Sequence, residues 1–268
     1  MKKSFFAQII LLSLLIVAPN AYAASTIWQE QSTNYQAAES KFATISTEYP
    51  SVAADSKLVK SKELLFLATN LISEYQKLIK IEITESTSIK EEEKNSFSSL
   101  VNADISNMQT LSNSINGAAN FPELVSRQTD INNSWSTIQA HKKYIQGILL
   151  IRKSEQALEK TNELMVKLQE KVGRLDASNP YIETINSEFE SVKKDIEMAS
   201  QTKDESLTLF NSISKDYASA NTLYNEGRSK IRKAHIYIKQ AVSVLSKVNA
   251  QVLDQQTSST EININDFR

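Results

Sequence analysis

The sequence predicts an all-α protein, an elongated bundle of long antiparallel helices. Three observations point there. First, apolar and small residues recur at alternating steps of three and four through residues 203–253, from Phe210 and Ile213 to Val248 and Val252. A 3.5-residue period held this long marks a helix that seams onto other helices. Second, the 268 residues contain only four Gly and four Pro, far below the usual share of roughly 7% and 5%. Few turn residues mean few turns. Third, there is no cysteine, so neither disulfides nor thiolate metal sites are available.

The N-terminus precedes the bundle. Lys2 and Lys3 are followed by a nearly unbroken apolar run, Ser4 to Val17, and then by Ala21-Tyr22-Ala23. A basic start, a short apolar core and a small-x-small motif predict a secretory signal peptide over 1–23, cleaved after Ala23. The apolar run is shorter than the ~20 residues a membrane span needs. Removing 23 of the 268 residues, Lys2 and Lys3 among them, leaves 28 basic and 31 acidic side chains, a formal charge of −3. That near-neutral balance gives no grounds for nucleic acid as a partner. No transmembrane segment is expected once the signal is removed. The expected location is periplasmic or secreted.

The first helix is expected over about 27–49, with Trp28, Gln31, Tyr35, Ala38, Phe42, Ile45 and Tyr49 along its seam. Pro50 cannot continue it without losing a hydrogen bond, and Ser51 offers a cap. The reading is a kink or a very short break rather than a long loop, followed by a second helix over 52–82 with a broad apolar face (Leu58, Leu65, Ile72 and Ile79 in one row). Ser88 and Glu91 have capping-box spacing and open a third helix over 89–115. Asn116-Gly117 ends it, and Pro122 opens the fourth at its first turn. The fourth is expected to reach about residue 175, with Gly147 as its point of flexure. Asn179-Pro180 starts a fifth helix that ends near 200. Thr202 and Glu205, again at capping-box spacing, start the sixth, 203–253. One column of that last helix is small (Ala220, Gly227, Ala234, Ala241) and the facing column is large (Tyr217, Tyr224, Ile231, Ile238, Leu245), which lets a partner helix come close. Residues 254–268 turn polar and read as a flexible tail.

Weak self-similarity runs through the chain. Thr69-Asn70 matches Thr161-Asn162, and Phe97 matches Phe189, at an offset of 92; Ala140-His141 matches Ala234-His235 at 94. Counted across the Pro50 kink, helix lengths run long, half, long, half, long. This rhythm resembles spectrin-type arrays of three-helix bundles, in which long helices are shared between neighbouring units. The resemblance implies two tandem units, 24–120 and 121–253. It is one of architecture only, and it brings no cytoskeletal role with it. Residues 35–50 resemble the end of a tetratricopeptide unit, but they are not repeated and the next helix is too long for that unit.

Chemistry is sparse. His141 and His235 are the only histidines, and neither has a carboxylate three or four residues away to help hold a metal. Glu91-Glu92-Glu93 lie at a helix start, where carboxylates are favoured electrostatically, and they lack an EF-hand spacing. No nucleophile-on-a-turn or phosphate-cradling loop is present. The expectation is a non-enzyme without cofactor or bound metal: an exported helical scaffold, adaptor or protein-binding module. Its protein partner is not named by the sequence, and a seam of this kind is also compatible with homo-oligomerisation. The surface feature marked for partner binding is the basic cluster Arg228, Lys230, Arg232, Lys233 and Lys239. The alternative is a membrane-active helical protein of the pore-forming or toxin-component type, for which the best insertion candidate, Ile145 to Ile151, is only seven residues.

Overall fold

A computed structural model describes residues 25–175, 180–213 and 217–265, the side chains of 217–218 and 253–265 excepted. The expected signal peptide, 1–23, lies outside the described residues. The protein is all-α: the described residues form α1 (Thr26–Glu48), a short 3-10 turn (Tyr49–Ser51), α2 (Lys57–Glu85), α3 (Glu91–Asn116), α4 (Phe121–Val172), α5 (Ile182–Asn211) and α6 (Tyr217–Asn265). Two compact units divide between Ile138 and Gln139, inside α4, rather than at 120/121.

In the first unit, α1 and α2 are an antiparallel hairpin, not one kinked helix. Ser25 Oγ donates to Glu85 at one end, Gln31 donates to Glu74 at 2.6 Å, and the Tyr49 and Ser61 hydroxyls meet at 2.8 Å beside the turn. Pro50 opens the 3-10 turn, and Val52 is extended, so the chain reverses before Lys57 restarts the helix. The long-half rhythm read across Pro50 therefore fails at its first member. Tyr75 of α2 stacks against Tyr35 of α1 (ring centroids 6.0 Å apart) and edge-on to Trp135 of α4 (5.6 Å). Such aromatic pairs add to simple burial. Burial, with Glu39 adding to it, pushes the Tyr35 hydroxyl up to about 12.

α2, α3 and the first part of α4 pack antiparallel around Leu65, Ile72, Met108, Ile115, Leu124 and Ile131. Lys80 reaches Asn102 across α2 and α3 at 2.9 Å, and Asn107 reaches Ser134 across α3 and α4 at 3.0 Å. The helix starts differ from expectation. Ser88 and Glu91 do not form a capping box; instead the Lys90 N–H donates to Glu93 at 3.3 Å. Asn120 caps α4 by accepting from the Glu123 N–H at 3.0 Å. Gly117 closes α3 with φ −74°, so the turn does not need glycine's left-handed freedom. Both amide atoms of Gln76 in α2 are buried without a hydrogen-bond partner, and nothing in the structure accounts for it.

In the second unit, α4 from Gln139, α5 and α6 run up, down and up. The fifth helix does not stop near 200, and Thr202 starts nothing: its hydroxyl donates to Met198 O at 2.7 Å in mid-helix. α5 continues to Asn211, is capped at Ser212, and α6 begins at Tyr217. The 3.5-residue seam read as one helix over 203–253 thus spans two antiparallel helices and the turn between them. The α6 backbone stays helical to Asn265, where a flexible tail is expected; residues 254–265 hold neither Gly nor Pro to stop it. Repeat-matched Phe97 and Phe189 lie on α3 and α5, and both are buried.

The small column of α6 faces inward as expected. Ala220, Ala234 and Ala241 are fully buried, and so is Gly227. Gly227 meets Phe210 of α5: a Cβ there would lie 2.5 Å from Phe210 Cε1. Gly147 of α4 does the same on another side, with a Cβ 2.4 Å from Phe210 Cγ. Gly147 is no flexure, since α4 is continuous over 52 residues. It is a gap that the ring occupies.

Gly227→Leu, and even Gly147→Ala, must push Phe210 out of its place. Each is expected to cost about 1–3 kcal/mol of overpacking, against which Gly147→Ala regains up to about 1 kcal/mol of helix propensity. Gly117→Ala meets nothing closer than 3.7 Å and should be neutral or slightly stabilising. Thermal melts followed by circular dichroism distinguish the three; if Gly227→Leu melts like the parent, the close contact is wrong.

Candidate functional site: the charged flanks of the second unit

α6 carries an unusual charge distribution. Between Gly227 and Leu253 it has six Lys or Arg residues and no Asp or Glu. The structure separates the five expected binding residues. Arg228, Arg232 and Lys239 share one exposed flank with half-buried His235, at steps of four, three and four. Lys230 sits on the other side of α6 and pairs with Glu205 of α5 at 2.5 Å. Lys233 is exposed and stacks over the Tyr237 ring, 5.9 Å from its centroid. The hydrogen bond from Lys230, with its charge, holds the Glu205 carboxyl below its ordinary value.

The core seam explains this sorting. With Ile231, Ala234, Ile238 and Ala241 buried, residues three to four steps apart on either side must flank the core. The Lys230 flank meets α5, where Ser206 Oγ also donates to Gly227 O at 2.8 Å. The Arg228 flank lies on the α4 side, where Lys143 of α4 sits 5.8 Å from the Tyr224 ring centroid. Burial pushes the Lys143 ammonium below its usual value.

His235 sits among these cations. Burial first, and the charge of Lys239 second, lower its pKa. Its imidazole is therefore neutral where a free histidine begins to protonate. Among the described residues no group of three or more His, Asp or Glu is placed to hold a metal ion.

The sequence reading missed the other half of the charge pattern, which is on α4. Glu155, Glu159, Glu163 and Glu170 line a groove of about 750 Å3 between α4 and α5, with Lys167 and Lys203 beside them and Leu158 and Val166 among its walls. Glu155 is tied to Arg152 at 2.6 Å and to Lys203 of α5 at 3.3 Å. Glu159, Glu163, Val166 and Glu170 are exposed. On the opposite flank of α4, towards α6, stand exposed Lys160 and Lys171. Steps of four and seven between like charges were the available signal, legible once the buried face of α4 is known.

No helix among the described residues is long and apolar enough to cross a membrane. No protein-family model matches the chain, and no curated protein or solved structure is significantly similar to it.

Because its pKa is lowered, His235 contributes stability that is complete above the ordinary value of about 6.5 and is lost as pH falls through its folded value. Lys239→Gln removes the second cause and leaves burial. The imidazole titration, followed by NMR, is expected to move part of the way up towards the ordinary value. No movement would mean that Lys239 does not face His235.

Proposed function

We propose that the protein is a non-enzymatic helical scaffold or protein-binding module, exported to the periplasm or beyond, which engages a partner through the cationic flank of α6. The observation that carries this reading is the one-sided charge of that helix: Arg228, Arg232 and Lys239 are exposed in a row, and the 27 residues around them contain no carboxylate. Cations on a solvated helix are ordinarily interspersed with acids that pair at steps of three or four, as Lys193 does with Glu190 at 2.6 Å on α5. An uncompensated row steers an acidic partner and sets its register.

Apolar contact is available beside the cations, since Ile236 is 55% exposed and Val242 38%. A mixed cationic and apolar helix face suits an acidic amphipathic helix or strand on the partner, with the charges giving specificity and the aliphatic groups the contact area. The signal-like sequence of residues 1–23 supports export.

The triple variant Arg228→Glu, Arg232→Glu, Lys239→Glu leaves the buried seam untouched. Its melting temperature should stay close to the parent's, because exposed substitutions ordinarily shift stability by no more than about 0.5 kcal/mol. In a cross-linking capture from the exported fraction, partners retained by the parent should be lost by the triple variant. An identical set of captured proteins would rule out this flank as the binding surface.

A further inference from the structure

We infer that the cationic flank of α6 receives the acidic flank of α4 from a second copy of this chain, so that copies associate head to tail. The inference rests on the proposed binding role of the α6 flank and names its partner.

The second unit carries two surfaces of opposite sign on the two sides of α4. The groove towards α5 carries an excess of acid, with Glu159, Glu163 and Glu170 exposed along it and one exposed cation, Lys167, between the last two. The side towards α6 is basic, with Lys160 and Lys171 exposed on α4 and Arg228, Arg232 and Lys239 exposed on α6. Within the described residues none of these eight side chains forms an ion pair. Each side therefore carries an excess of one sign, moderated in the groove by Lys167, and that excess is relieved when the opposite sign covers it.

The spacing of the two rows also agrees. Glu159, Glu163 and Glu170 are separated by four and seven residues, and so are Arg228, Arg232 and Lys239. Each row spans 11 residue steps, about 16 Å of helix. Two helices laid side by side in parallel bring Glu159 to Arg228, Glu163 to Arg232 and Glu170 to Lys239. Val166, 49% exposed in the middle of the acidic row, then lies opposite His235, beside exposed Ile236.

The symmetry of the contact follows from where the rows sit. Leu158 of α4 packs with Ala234 and Ile238 of α6, so Glu159 stands level with Lys239, not with Arg228. The parallel register therefore needs a shift of about 16 Å along the bundle. The acidic row also leans towards α5 while the basic row leans towards α4, so the two point in different directions. One pair of copies then satisfies one contact and leaves a free surface of each sign. This is a heterologous interface, which propagates into a ring or an open chain.

Sedimentation velocity on residues 24–268, a span that retains every described residue, tests this directly. The parent should gain mass with concentration at low salt and return to monomer at high salt, as screened ion pairs require. Arg232→Glu/Lys239→Glu and Glu163→Lys/Glu170→Lys should each weaken self-association by at least about tenfold. Mixed in equal amounts, they should recover association with the two variants alternating, because the acidic α6 of the first fits the basic groove of the second and the unaltered acidic α4 of the first fits the unaltered basic α6 of the second. Matching thermal melts confirm that both are folded; if either melts early, Arg232→Gln/Lys239→Gln and Glu163→Gln/Glu170→Gln give the single-variant comparison. A parent that stays monomeric at low salt, or variants that associate as the parent does, overturns the inference. If the monomeric parent still captures an acidic partner that the triple α6 variant loses, the binding role stands and the partner is another protein.

Discussion

Phe210 fills the space that Gly147 and Gly227 leave between α4 and α6, and the register of the second unit follows from that contact. A Cβ on either glycine would stand inside the van der Waals radius of the ring, so only at these two levels can the ring lie so close to both neighbouring backbones. The polar contacts nearby agree with the same register: Ser206 on Gly227 O, Glu205 on Lys230, Lys203 on Glu155. These surface pairs are individually weak. A fully buried ring with two missing side chains beneath it admits no sliding, because a one-turn shift would set it against side chains that do carry Cβ atoms.

From that register comes the charged surface. Turning α6 so that Gly227 and Ala234 face inward places Lys230 towards α5, where it finds an acid, and leaves Arg228, Arg232 and Lys239 exposed on the other flank. α4 has its own division, with Glu159, Glu163 and Glu170 beside one lysine, Lys167, on the groove flank and Lys160 and Lys171 on the other. The binding role proposed for α6, and the second copy proposed as its partner, are two consequences of one packing choice.

Much of this fold was legible in the sequence. The small column Ala220, Gly227, Ala234, Ala241 is the close-contact face, because period and residue size together define which side of a helix a neighbour touches. The heptad pattern failed at the boundaries. Its 3.5-residue period runs unbroken from Phe210 through Ile213 to Tyr217, although α5 ends at Asn211 and α6 begins at Tyr217, since periodicity alone does not report where a chain leaves one helix for the next. Pro50 suggests a kink or a very short break for a related reason: proline forbids helix continuation but does not say how far the chain bends. Gly147 was read as weakness when it is a docking hollow, which only the partner ring reveals. Of the five basic residues singled out, Arg228, Arg232 and Lys239 share a face. Lys230 does not, because its neighbour on α5 could not be placed until the α5–α6 turn was.

Urea unfolding of Phe210→Ala, followed by far-ultraviolet circular dichroism, tests the central claim most directly. Removing the ring leaves a cavity between two glycines that have no side chains to fill it. The account predicts a loss of about 3–5 kcal/mol, with the helices of the second unit melting at lower urea than those of the first. A Phe210→Ala protein that unfolds at the parent's midpoint would contradict it.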